Sequence, residues 1–286
     1  MPVGKPKRVT LRARWLGQRL RELRDASGQT IEEVAEYLQR SMGTVSRFES
    51  GIYPIRRTEV TALLDLYAVN DARTRANLLK IANDVWQTGW WDGYTGEVED
   101  WFIDFVWLEE QATAHLLFDT TVLPGLLQTE QYARAVMLAD DPASTREQLD
   151  RAVELRLARQ QLLEREEPPQ VYCVLDEAVL RRRVGGRRTM TAQLRHLRQA
   201  MDWPTVSLRV LPFSAGEHAS PMGAFQLYRM EDPYPEVAYV ETPKGAMYIE
   251  SPDTGAILER YDRLWEASLS EHASAEAISA LIEEQS

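Results

Sequence analysis

The sequence predicts an α+β chain in two parts: an all-α N-terminal domain of five helices, followed by a larger mixed α+β domain with a mainly antiparallel sheet. Three observations predict it. From Leu11 to Trp86 apolar residues recur at helical spacing behind recognisable caps, whereas strand-like runs appear only beyond Pro168-Pro169. Runs of helices followed by runs of strands indicate α+β rather than an alternating, doubly wound sheet. Charge divides the chain in the same way: residues 1–80 hold 15 Lys and Arg against 9 Asp and Glu, a balance of +6, and residues 81–286 carry −17. The first part suits a polyanion and the remainder repels one.

The N-terminal elements follow in order. Leu11 to Ser27 reads as a first helix. Thr30 and Glu33 form a capping box, so a second helix starts near Ile31, with Val34, Ala35 and Leu38 facing inward. Ser41 caps a third helix that runs to about Ser50 and stops at Gly51; on it Val45 and Phe48 face inward and Met42, Gly43, Thr44, Ser46 and Arg47 are left outward. Two short helices at this spacing are a helix-turn-helix, whose usual partner is the major groove of double-stranded DNA. Helices at 57–68 and from about Asn70 toward Trp86 complete the set. Arg12 or Arg14, before and along the first helix, and Arg56-Arg57, just after the third, bracket it as expected phosphate contacts.

This stretch resembles the XRE, or phage-repressor-like, helix-turn-helix class. The resemblance implies a structural clamp between Arg24 and Glu49, base-facing positions at Met42, Gly43 and Arg47, and phosphate or base-edge contacts from Ser41, Thr44 and Ser46. It also implies a homodimer on a near-palindromic operator, an inverted repeat. Two positions depart from the class: Gln39 stands where the turn usually has glycine, at a cost of roughly 1–2 kcal/mol, and Ile31 stands where a polar residue usually meets a phosphate.

The expected domains are 1–70 for DNA binding, 71–100 as a helical, aromatic-rich linker, and 101–286 for sensing or interaction. Trp86, Trp90, Trp91, Trp101 and Trp107 crowd a short stretch and admit three readings: a domain core, a dimer contact or the wall of a ligand pocket. Trp90, Trp91 and Trp107 are the pocket candidates. A helix is expected over 100–118 and others over 128–139 and 149–166. Strands are expected at 171–175, 205–211, 223–230, 236–241 and 246–250, the last two joined by a hairpin at Thr242-Pro-Lys-Gly245. Helices at 176–183 and 189–201 lie between the first two strands, and two helices, 252–269 and 274–284, close the chain. Arg183, Arg187 and Arg188 rim Gly185-Gly186, a turn that reads either as an anion or effector site or as a solvated loop.

Gly89-Trp-Trp91, Pro124-Gly-Leu-Leu-Gln-Thr129, Tyr132-Ala-Arg134, Arg181-Arg-Arg-Val-Gly185 and Gln193-Leu194 together resemble the long C-terminal domain of actinobacterial WhiJ-type regulators. The resemblance implies a regulator of development or secondary metabolism, often encoded beside a small partner protein. An antitoxin-like role, in which the chain restrains that partner and controls its own operon, is the alternative to sensing an unknown small-molecule effector. Catalysis is not expected, because no recognised constellation is present: the four histidines are scattered, and Ser214 lacks the first glycine of a nucleophile elbow. No cofactor or metal is expected either. One cysteine, Cys173, excludes an internal disulfide and reads as a buried thiol. With neither a signal peptide nor a long apolar segment, a cytoplasmic protein is expected, nucleoid-associated when on DNA and with no membrane partner.

Overall fold

In the computed structural model, which describes residues 9–94 and 100–285, the chain divides between Asp100 and Trp101 into two units. The first holds α1 (Leu11–Ser27), α2 (Ile31–Tyr37), α3 (Met42–Glu49), α4 (Arg57–Leu66) and α5 (Ala72–Asp84), then a 3-10 turn at Trp90–Tyr94. Each α-helix begins where its cap dictates. Thr10 Oγ1 accepts from the Ala13 N–H, Ser41 Oγ from Thr44 and Asp71 from Thr74, each satisfying a backbone donor that the helix itself cannot. Gly28, at φ 74°, ends α1 in the left-handed conformation that a side chain resists. Leu11, Leu16, Leu20, Val34, Val45, Val60 and Leu64 form the core. Leu78, Ile81 and Ala82 of α5 are also buried. The segment expected to open a linker at residue 71 is therefore a packed fifth helix of the first unit.

The turn between α2 and α3 carries Gln39 at φ 54°, and the Arg40 N–H closes it on the Ala35 carbonyl at 2.8 Å. The close approach of α1 to α3 is set by Gly17. A Cβ there would sit 2.4 Å from the Phe48 carbonyl oxygen and 2.6 Å from that of Glu49.

The second unit contains α6 (Asp100–Gln111), β1 (Ala114–Asp119), α7 (Glu130–Asp140), α8 (Arg146–Gln160), β2 (Gln170–Asp176), α9 (Glu177–Arg181) and α10 (Gly186–Ala200), followed by β3 (Val206–Leu211), β4 (Phe225–Arg229), β5 (Val237–Thr242), β6 (Gly245–Glu250), α11 (Gly255–Ala267) and α12 (Glu271–Glu284). The strands form one sheet in the order β3-β2-β1-β4-β5-β6. It is mixed rather than mainly antiparallel: β1–β2 and β2–β3 are parallel, while β1–β4, β4–β5 and β5–β6 are antiparallel.

The departure from expectation lies at β1. The helix expected over 100–118 stops at Gln111, and Ala114–Asp119 becomes a central strand whose six residues are all buried. A strand covered on both faces loses its alternation and reads like a buried helix. One face packs Leu117, Val171, Cys173 and Val210 against Tyr132, Leu180, Met190, Leu194 and Ile278 from α7, α9, α10 and α12. The other packs Leu116, Phe118, Val174 and Leu227 against Tyr261 and Leu264 of α11. No helix among the described residues is long and apolar enough to cross a membrane.

Candidate nucleic-acid interface

The outward face of α3 is built from its buried one. Val45 and Phe48 seat the helix, which leaves Met42, Gly43, Ser46, Arg47 and Ser50 exposed and Thr44 half-buried. Met42 is 53% exposed although no polar group requires it to be so. The Ser41 and Thr44 hydroxyls lie 2.9 Å apart at the helix N-terminus, where the backbone N–H groups and the helix dipole favour a phosphate. At the start of α2, the Thr30 N–H and hydroxyl both donate to Glu33, and these bonds hold its carboxylate below the ordinary range.

Arg47 does not wave freely. Its guanidinium carbon lies 5.0 Å from the centre of the Tyr53 ring, and Nη1 reaches the Tyr53 hydroxyl at 3.4 Å. Tyr53, exposed beyond Gly51, escapes sequence reasoning because it lies outside the two helices. A cationic side chain six residues ahead of an exposed ring is the only signal it leaves.

At the end of α3, Glu49 accepts from Arg24 Nε at 2.6 Å and Nη2 at 3.1 Å, with both side chains nine-tenths buried. Arg24 Nη1 also donates to the Gln29 carbonyl at 3.0 Å, so the same guanidinium fixes the connection into α2. The Glu49 hydrogen bond raises the Arg24 pKa and outweighs the burial that opposes it.

The expected phosphate contacts separate on inspection. Arg12 is 3% exposed and its Nη1 donates to the Asp84 carbonyl at 2.5 Å, so it ties α1 to the end of α5 and cannot face a phosphate. Arg14 is exposed, and with Gln18 and Arg21 it lines a hollow beside Ser50. Arg57 is exposed at the start of α4. Arg56 is exposed as well, with its guanidinium 4.7 Å over the Trp86 ring, whose indole N–H donates to the Ile55 carbonyl.

The residues proposed for a ligand or partner are divided between the two units. In the first unit Trp90 is 37% exposed and meets the buried Trp91 edge to face. In the second, Trp107 is a core residue, 1% exposed and 5.1 Å from Tyr234, which removes it from any pocket wall. Arg183, Arg187 and Arg188 are exposed around Gly185-Gly186, and Arg187 Nε is already donated to the Gln285 carbonyl. Among the described residues no group of three or more His, Cys, Asp and Glu could hold a metal ion.

Two motifs of the second unit, Pro124-Gly-Leu-Leu-Gln-Thr129 and Gln193-Leu194, carry structural hydrogen bonds. Gln193, fully buried, donates to the Leu127 carbonyl and accepts from the Thr129 N–H. Gln128 donates to the Leu123 carbonyl, and Gln160 donates to the Gly125 and Gln128 carbonyls. The Pro-Gly-Leu-Leu-Gln-Thr turn is thus bound by glutamines from α8 and α10. Nearby, Arg159 and Glu109 form a buried bidentate pair at 2.7 and 2.8 Å.

Comparison with known families gives two matches. The model described as Helix-turn-helix domain matches residues 15–78, so α1 to α4 and the first half of α5 form a DNA-binding domain. The model described as Domain of unknown function (DUF5753) matches residues 102–280, more than half the chain and nearly all of the second unit. No curated protein and no solved structure matches the chain. With a helix-turn-helix domain at its N-terminus and that long α+β domain behind it, the chain belongs to the DUF5753 family.

Proposed function

We propose that the protein is a sequence-specific transcriptional regulator of the XRE and WhiJ-like type. It binds an inverted-repeat operator as a homodimer, and its second unit senses a small molecule that decides when it binds. The observation that carries this reading is the exposed face of α3, with Arg47 held on Tyr53 where a recognition helix meets base edges. Arg47 is the principal base reader, donating two hydrogen bonds to a guanine. Ser41, Thr44, Arg14 and Arg57 supply phosphate contacts on either side. Two such helices in a dimer would enter successive major grooves about 34 Å apart. The reading assigns regulation rather than catalysis to the second unit and places the protein in the cytoplasm, on the chromosome.

Genome-wide mapping of bound sites tests it. An enriched inverted repeat whose half-sites lie one helical turn apart, lost with Arg47→Ala, is the expected result. An absence of any enriched motif overturns it.

A further inference from the structure

The sheet brings together polar groups that neither the core nor the DNA-reading helices use. In register, Leu117 of β1, Gln226 of β4 and Tyr239 of β5 lie side by side. Two residues further along the same face come Asp119 and Glu241, at the same end of β1 and β5 because both run antiparallel to β4. Asp119 is 8% exposed, and its Oδ2 is buried with no hydrogen-bond partner among the described residues. Glu241 is exposed at the rim. From α8, Arg156 sends Nη1 to Gln128 Oε1 at 2.8 Å, while its Nε is buried and also without a partner. The Gly125 backbone lies against this guanidinium, and a Cβ there would come within 3.1 Å of its Cδ and Nη1.

Buried polar atoms are rarely left unpaired without a reason. Here one lies on a carboxyl and one on a guanidinium, and Glu241 acts electrostatically on both. Each side also carries a like-charge conflict. Burial and Glu241 push Asp119 up to about 7. Burial and neighbouring Arg159 pull Arg156 down to about 10, while Arg159 is already spent on Glu109. A cation beside Asp119 and Glu241 relieves the first conflict, and an anion on Arg156 relieves the second. Neither an acid nor an amine alone relieves both.

We infer that this end of the sheet is a binding site for a small zwitterion, a molecule carrying an amine for Asp119 and Glu241 and a carboxylate or phosphate for Arg156. Gln128 orients the guanidinium, and the absence of a side chain at Gly125 lets the backbone approach it closely. The assignment rests on the proposal that this domain senses a small molecule, and it names the place and the ligand chemistry.

The test is thermal-shift and calorimetric titration of the full chain. The probes are the free proteinogenic amino acids and phosphoethanolamine, each at millimolar concentration, with acetate and ethylamine as single-charge controls. At least one zwitterion should bind where both controls fail. Asp119→Asn and Arg156→Met should each weaken that binding about tenfold or more, the loss expected of a hydrogen bond to a charged group. Glu241→Gln, at an exposed position, should weaken it less while leaving the fold intact. Without ligand, Asp119→Asn should melt at or above the wild-type temperature, because it removes a buried charge conflict. No binding by any zwitterion, or binding that Asp119→Asn and Glu241→Gln leave unchanged, overturns the assignment. Operator affinity measured in the same samples reports on sensing separately, so a zwitterion that binds without altering it refutes the regulatory role and leaves the site standing.

Discussion

Removing Arg24 from the Arg24–Glu49 pair should destabilise the DNA-reading unit more than removing both partners together. The two side chains are 10% and 8% exposed and share two hydrogen bonds, so little solvent screening weakens the interaction. Arg24→Met strands the Glu49 carboxylate beneath α3, and breaking a buried pair in this way costs about 3–5 kcal/mol. Glu49→Leu is milder, about 2 kcal/mol, because Arg24 keeps the Gln29 carbonyl and the exposed Asp25 carboxylate. The double variant carries no orphaned charge and should lie near the milder single one. A coupling energy of about 2 kcal/mol or more follows. Amide hydrogen exchange in α1 and α3 is the suitable assay, since it reads this unit separately from the sheet domain. Single-variant losses that add within about 0.5 kcal/mol in the double variant would refute the clamp as an energetic unit.

Other perturbations test other links. Gly17→Ala places a methyl against two α3 carbonyls and should cost about 2–3 kcal/mol, with operator affinity falling alongside; unchanged melting would show that α1 and α3 can part without penalty. Arg47→Ala should remove about 1–3 kcal/mol of discrimination at one base pair, and Tyr53→Ala a smaller share of about 0.5–1 kcal/mol by freeing the guanidinium. Equal losses on specific and random DNA in a competition assay would instead make Arg47 a phosphate contact. Arg12→Met should lower stability without changing the salt dependence of DNA binding, whereas Arg14→Ala should flatten it. The pH response of the second unit separates two buried groups. Asp119, raised to about 7, favours the folded state increasingly as pH falls from 7 toward its unfolded value near 4. His115, pulled down to about 4 chiefly by burial, acts oppositely, and its contribution is lost as pH falls below about 6.5. Asp119→Asn leaves His115 unopposed, so between pH 7 and about pH 5 this variant should lose about 2 kcal/mol more than wild type in urea titrations. Parallel pH profiles would refute the burial of the Asp119 charge.

The helical half was legible because its determinants are local. Thr30 with Glu33, Ser41, and Gly51 after α3 mark helix ends within a few residues, and the five helices expected in this half are present. Gln39 adopts the left-handed turn expected of it despite its side chain. Arg12 misled because a basic residue on a basic helix looks solvated until the helix that buries it is known, and α5 arrives some sixty residues later. Trp107 misled similarly, since aromatic crowding in sequence does not say which rings face a core. In the second unit, β1 was hidden by burial on both faces, and the mixed sheet by the absence of any local sign of strand direction. Asp119 and Arg156 left no sequence signal, because their relation is created by register across three strands and a helix from elsewhere in the chain.

The position of β1 bears on how the protein is made. Among the described residues it is the first strand to leave the ribosome, yet it lies in the middle of the sheet, and its neighbours are Gln170–Asp176 and Phe225–Arg229. For more than a hundred residues of synthesis one or both of its edges wait unpaired, exposing a template for pairing with other nascent chains. The α1–α5 unit closes on nearby contacts and needs no such wait. A message broken before the codon for Arg229 would therefore yield a competent DNA reader joined to an unfinished, sticky sheet. Only translation through β4 closes both edges of that strand.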